Sequence, residues 1–242
     1  LWQARHRMTG FTEEQVSDLV FYGAIGVILG GRLGYVLFYD LGPVLAAPWT
    51  LFFIWQGGMS FHGGLIGGAA TLAWFARRNH MTFFQVSDFV APLVPMGLGF
   101  GRLGNFANTE LPGRVTDTVF GFIYPCSADA IRAINQLCVG QWESFARHPS
   151  PLYQAFGEGV VLFTFVWLLA AKPRPTGTLS GGFLAGYGCV RLVTEYFRQP
   201  DGHLGFIAFD ALTMGQLLSL PMVIVGILIM LWANRLTRLP TQ

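Results

Sequence analysis

Three arginines stand inside stretches otherwise too apolar to hold them: Arg32 within Gly31-Arg32-Leu33-Gly34, Arg102 within Gly101-Arg102-Leu103-Gly104, and Arg191 ahead of Glu195 and Arg198. A guanidinium offers a planar fork of donors that matches a phosphate or carboxylate. In an apolar surround such a charge is costly, about 2.5–3.5 kcal/mol on insertion scales, and normally faces a cavity or a partner. All three are therefore candidates for holding an anion, with snorkelling to the membrane surface as the alternative for Arg32. His62 opens the run Phe61-His62-Gly63-Gly64-Leu65-Ile66-Gly67-Gly68. The ordinary chemistry of an imidazole makes it a candidate proton acceptor, although a histidine at a helix start also serves packing or hydrogen bonding.

Further polar residues gather around these. Asn105, Asn108, Glu110, Gly113 and Arg114 follow Arg102 within Gly104-Asn105-Phe106-Ala107-Asn108-Thr109-Glu110-Leu111-Pro112-Gly113-Arg114. Two guanidiniums, amides and a carboxylate, separated by glycines that admit a ligand to the backbone, suit a phosphate; they also suit a helix end capped by its own side chains. Arg191, Glu195 and Arg198 share one helix face, either as a self-neutralising row or with one arginine available to an anion. His148-Pro149-Ser150-Pro151-Leu152-Tyr153 enters another apolar run, with Glu158 a turn or more deeper, placed to orient the site or to anchor the helix.

The elements that must position these residues are membrane helices. Apolar residues make up 52% of the 242 and charged residues only 12%, with formal charge +2 and mean hydropathy +0.48, outside the range of ordinary soluble domains. With Lys172 the single lysine, no nucleic-acid surface is expected. A span needs about 20 mostly apolar residues, and windows of that kind run over 16–39, 60–77, 84–105, 152–171, 179–197 and 212–233. Helices satisfy their own backbone in lipid, so an all-α bundle is expected. The paired glycines at Gly63-Gly64 and Gly67-Gly68 suit close helix contact.

Arg5 and Arg7, Arg77 and Arg78, Lys172 and Arg174, and Arg235 and Arg238 flank alternate span ends, which assigns that side to the cytoplasm. The opposite side then carries the loop near 40–55, a long head segment over 106–151, and the stretch 199–210, within one membrane domain spanning 1–242. Arg32, Arg102, Arg114, Arg132, Arg147, Arg191 and Arg198 all fall on that outer side. Cys126, Cys138 and Cys189 lack the spacing of a zinc site, and no metal is expected. The chain opens at Leu1 without a signal-peptide pattern, and a preceding segment is expected.

The motifs His62-Gly63-Gly64-Leu65-Ile66-Gly67, Gly101-Arg102-Leu103-Gly104-Asn105-Phe106 with Glu110 and Gly113-Arg114, His148-Pro149-Ser150 before Leu152-Tyr153, and Arg191 with Glu195-Tyr196-Phe197-Arg198-Gln199-Pro200-Asp201 together resemble bacterial prolipoprotein diacylglyceryl transferases over nearly the whole chain. The resemblance implies seven inner-membrane helices and a periplasmic head. Six windows are present, so the first helix is the one expected to be absent, and its tyrosine has no counterpart here. Cys126 and Cys138 belong to none of the family motifs, and a periplasmic disulfide between them stays open.

The resemblance also implies a reaction. Phosphatidylglycerol donates its diacylglyceryl group to the lipobox cysteine of a prolipoprotein signal peptide, a thioether forms and glycerol phosphate leaves, with membrane lipids as surroundings and no cofactor. His62, Arg102 and Arg191 are then the expected catalytic residues. Asn105, Glu110, Gly113, Arg114, Glu195, Arg198, His148 and Tyr153 are expected to bind or orient substrate. Two other classes compete: a transporter for an organic anion or lipid, which should carry charges along a path to both faces, and a scaffold without catalysis.

Overall fold

Side-chain caps mark the start of three of the helices. Thr12 and Gln15 exchange side-chain to backbone hydrogen bonds at 3.1 and 3.0 Å, and Thr82 and Gln85 repeat the exchange at 2.7 and 3.3 Å. Both are reciprocal capping boxes. In the computed structural model, which describes residues 10–39, 41–126, 138–199 and 214–236, these caps start helices α1 (Glu13–Tyr39) and, after α2 (Phe61–Arg78), α3 (Phe83–Val90). Ser60 caps α2 by accepting from the Gly63 amide at 3.2 Å. Proline in the first turn opens both α4 (Val94–Ala107) and α5 (Ser150–Leu169), where its missing N–H costs nothing. Helices α6 (Thr178–Thr194) and α7 (Met214–Leu236) complete the helical set.

The chain forms two compact units, Leu1–Phe89 and Val90–Gln242. In the first, α1 packs on α2 through glycines. A Cβ at Gly30 would strike the Gly63 carbonyl, and one at Gly63 would strike the Gly30 carbonyl. Close backbone approach is the gain that small residues bring to helix pairs in lipid, where leucine has no advantage over an acyl chain. The short segments Leu41–Ala46, Pro48–Phe52 and Ile54–Gln56 lie between α1 and α2.

In the second unit α6 packs along α7, and α4 packs against α5. Residues Ala155–Val161 of α5 are π-helical, a widened turn that recurs at functional positions. Outside the helices a small head is built from backbone bridges, Val115 and Phe122 each pairing with Arg147, and from a hairpin of β1 (Cys138–Val139) with β2 (Trp142–Glu143). Cys126 and Cys138 are joined as a disulfide, which answers the question the sequence left open. Arg147, 1% exposed, donates from Nε to both Glu143 oxygens at 3.1 and 2.9 Å and covers the Phe145 ring at 4.9 Å. This buried pair serves the head, where the sequence had left Arg147 as one more outer arginine.

Helical structure lies over each of the six apolar windows, with two helices, α3 and α4, sharing 84–105. Among the described residues, three helices are long and apolar enough to cross a membrane, Glu13–Phe38, Ser150–Leu169 and Gly215–Arg235, and a fourth span follows if α3 and α4 are one broken span. Helices α2 and α6, at 18 and 17 residues, are shorter and rich in glycine. Large apolar side chains such as Val20, Leu29, Phe100, Phe156 and Leu228 are exposed along the helices, as lipid-facing residues are. Arg5, Arg7, Asp40, Arg132, Pro200, Asp201 and Arg238, with the rest of 200–213, lie outside the described residues.

Candidate active site

Three helices of the second unit bring their charges to one place. Helices α4, α5 and α6 put Arg102, Glu158 and Arg191 on facing sides. Arg102 Nε donates to Glu158 Oε2 at 2.9 Å, and Arg191 Nη1 stands 3.6 Å from Glu158 Oε1. Arg191 Nη2 reaches Glu195 Oε2 at 2.8 Å, and Arg198 Nη1 approaches the same oxygen at 4.0 Å. The order is Arg102, Glu158, Arg191, Glu195, Arg198, with signs alternating. Three guanidiniums against two carboxylates leave one positive charge in excess. Glu158 is wholly buried and the arginine side chains keep only 11–19% of their exposure. At such burial a lone charge would be prohibitive, and only mutual pairing makes the row tenable.

The residues after α4 form a second layer. Asn105 Nδ2 donates to Glu110 Oε2 at 2.7 Å, Asn108 Nδ2 approaches Glu110 Oε1 at 3.4 Å, and the Glu110 amide returns to the Asn105 carbonyl at 2.8 Å. Thr109 and Leu111 hold left-handed backbone on either side of Glu110. For residues with a Cβ this conformation is strained and must be held by its surroundings. Gly113 is clamped between two strands of chain. Its amide donates to His148 O at 2.9 Å, and a Cβ there would meet His148 O and, at 2.6 Å, Phe197 O. Arg114 Nε donates to the Arg198 carbonyl at 3.1 Å. His148 Nδ1 lies 3.3 Å from the Tyr153 hydroxyl, and both rings pack edge-on to Phe197 at 5.3 Å. The loop after α4, the entry to α5 and the end of α6 are thus tied together beside the charged row.

His62 belongs to the first unit, on the opening turn of α2, with an exposed side chain. Arg32 also lies there and is engaged by the loop before α2. Its Nε donates to Leu51 O at 2.9 Å, Nη2 to Thr50 O at 2.7 Å, and Nη1 to Gly57 O and Gly58 O at 2.8 and 3.2 Å. A guanidinium so occupied holds a loop in place. The expectation that Arg32 serves an anion is replaced by this anchoring role.

The sequence profile of the family described as prolipoprotein diacylglyceryl transferase matches residues 1–232. The chain belongs to the prolipoprotein diacylglyceryl transferase family. Within it, the phosphatidylglycerol–prolipoprotein diacylglyceryl transferase of Legionella pneumophila is 52% identical over 234 residues, covering 97% of this chain and 85% of the relative. The proteins of that name from Photobacterium profundum and Vibrio cholerae are each 51% identical over 239 residues, covering 97% of this chain and 84% and 82% of theirs.

One residue of this family member's charged row, Glu158, and one a turn away from it, Gln154, stand outside the motifs that mark the site in the sequence. By its sequence position Glu158 reads only as an orienting or anchoring group, yet it lies between Arg102 and Arg191. Gln154, one turn earlier and fully buried, was not singled out. The available signal was the spacing from Gln154 to Glu158, which puts two polar side chains on one face of an apolar helix.

Proposed function

We propose that this chain transfers the diacylglyceryl group of phosphatidylglycerol to the lipobox cysteine of prolipoproteins. The observation that carries the reading is a charged row with one excess positive charge set among lipid-facing helices, in a chain about half identical to enzymes of that name. A phosphodiester carries one negative charge and matches it.

In this reading the acceptor sulfur attacks the glyceryl carbon that bears the phosphate. The carbon–oxygen bond breaks as the carbon–sulfur bond forms, and glycerol phosphate departs with the electron pair. Arg102 and Arg191 hold the phosphate as its charge grows, a role for preorganised donors in a water-poor site. His62 takes the thiol proton, since a free thiol near pKa 8.5 is mostly protonated at neutral pH. Asn105, Glu110, Gly113 and Arg114 shape the loop over the head group, Glu195 and Arg198 orient Arg191, and His148 with Tyr153 fixes the entry of α5. The nucleophile belongs to the substrate.

The membrane arrangement belongs to the same proposal: six spans in this chain, residues 106–151 as a periplasmic head within one membrane domain, and a site open to the outer leaflet of the bacterial inner membrane. Arg77 and Arg78 at the end of α2, Lys172 and Arg174 after α5, and Arg235 at the end of α7 support that orientation. The test is incubation of the purified chain in phosphatidylglycerol vesicles with a lipobox peptide. The expected result is a peptide heavier by one diacylglyceryl group and release of glycerol phosphate. No modification, with uptake of an organic anion instead, would overturn the reading in favour of transport.

A further inference from the structure

Gln154 sits in α5 with no solvent exposure, and neither its Oε1 nor its Nε2 has a hydrogen-bond partner among the described residues. Buried amides left unpaired are costly and rare in native proteins. A single case could be a packing compromise, but the next polar group along the same helix is incompletely hydrogen-bonded as well. Glu158, one turn deeper and also wholly buried, meets Arg191 Nη1 through Oε1 as an ion pair at 3.6 Å, too long for a hydrogen bond, so that both atoms keep hydrogen-bonding capacity. The π-helical stretch of α5 begins directly after Gln154 and contains Glu158.

The unused atoms are of both kinds. Gln154 Nε2 and Arg191 Nη1 donate; Gln154 Oε1 and Glu158 Oε1 accept. A phosphate alone would satisfy the donors and leave the acceptors bare. An aliphatic head group would satisfy neither. We propose that Gln154, with Glu158 and Arg191, reads the hydroxylated head group of the donor lipid: the phosphate oxygens take the donors and the glycerol hydroxyls donate to the two acceptors. Gln154 is then a specificity-determining residue of the site, and the inference rests on the transferase reading above. Rejection of lipids without head-group hydroxyls follows from leaving buried polar atoms unpaired, which discriminates better than shape.

The experiment compares phosphatidylglycerol with phosphatidylpropanol, which keeps the phosphodiester and the single charge but has no hydroxyl. Both are offered with a lipobox peptide to the parent and to Gln154→Met and Gln154→Leu. The parent should show a kcat/KM at least about tenfold higher for phosphatidylglycerol, the effect of one to two hydrogen bonds. In the variants the ratio should fall toward one. A packing role would lower both activities by one factor and leave the ratio unchanged, which overturns the inference; so does a parent that uses both lipids equally. Should neither variant fold, inhibition of the parent by glycerol phosphate against propyl phosphate decides, with equal inhibition counting against it. A parent that transfers from neither lipid refutes the transferase reading itself.

Discussion

Arg102 Nε and Glu158 Oε2 meet at 2.9 Å, with the carboxylate wholly removed from solvent. Removing one member of such a pair leaves an uncompensated buried charge, a loss of about 3–5 kcal/mol. Glu158→Ala should therefore lower thermal stability in detergent more than Arg198→Ala, whose partner lies at 4.0 Å. Equal melting temperatures in the two variants would contradict the pairing.

Arg102→Ala and Arg191→Ala should abolish transfer, because in the proposed mechanism each supplies a planar fork to the phosphate. Arg102→Lys and Arg191→Lys should keep charge and stability yet recover only part of the rate. Transfer assays on folded protein check this, and near-normal rates in both alanine variants would end the clamp assignment.

His62→Gln should bind phosphatidylglycerol as the parent does and transfer poorly at pH 7. Raising the pH toward the thiol's own pKa near 8.5 should recover part of the rate, since thiolate then forms without a base. A defect that stays constant with pH, or that lies in lipid binding, would give His62 a structural role.

A variant lacking Cys126, Cys138 and Cys189 should still transfer lipid, because the attacking sulfur belongs to the acceptor. Loss of the Cys126–Cys138 bridge should nevertheless loosen the head by about 3 kcal/mol, the chain-entropy value for a loop of this order. Limited proteolysis of the head with and without reductant measures that loss. A lipid adduct isolated on any of the three cysteines would demand a covalent enzyme intermediate.

Burial pushes the Tyr124 hydroxyl from the ordinary tyrosine value of 10.0 up to about 12. The folded head therefore holds this proton more tightly than the unfolded chain does. Its contribution is fully present below pH 10.0 and is lost as pH rises toward about 12. Tyr124→Phe should remove that alkaline loss and cost little at neutral pH, since the buried hydroxyl has no hydrogen-bond partner among the described residues. Alkaline unfolding followed by tyrosine absorbance tests both halves, and an unchanged alkaline limb would refute the assignment.

The sequence by itself determined what is local or compositional in this protein. Hydropathy located helical structure at every apolar window, Thr12 with Gln15 and Thr82 with Gln85 set helix starts, and the motif spacing carried the family. These depend on neighbours in the chain and on the solvent, both of which a sequence states. Tertiary structure alone decided the partners. Gly31-Arg32-Leu33-Gly34 and Gly101-Arg102-Leu103-Gly104 read alike, yet Arg32 spends its donors on four loop carbonyls while Arg102 pairs with Glu158. The difference lies in what the fold sets opposite each guanidinium, 18 to 26 residues away for Arg32 and 56 for Arg102. A charge in an apolar helix must find a partner; which partner it finds depends on contacts that no local pattern encodes.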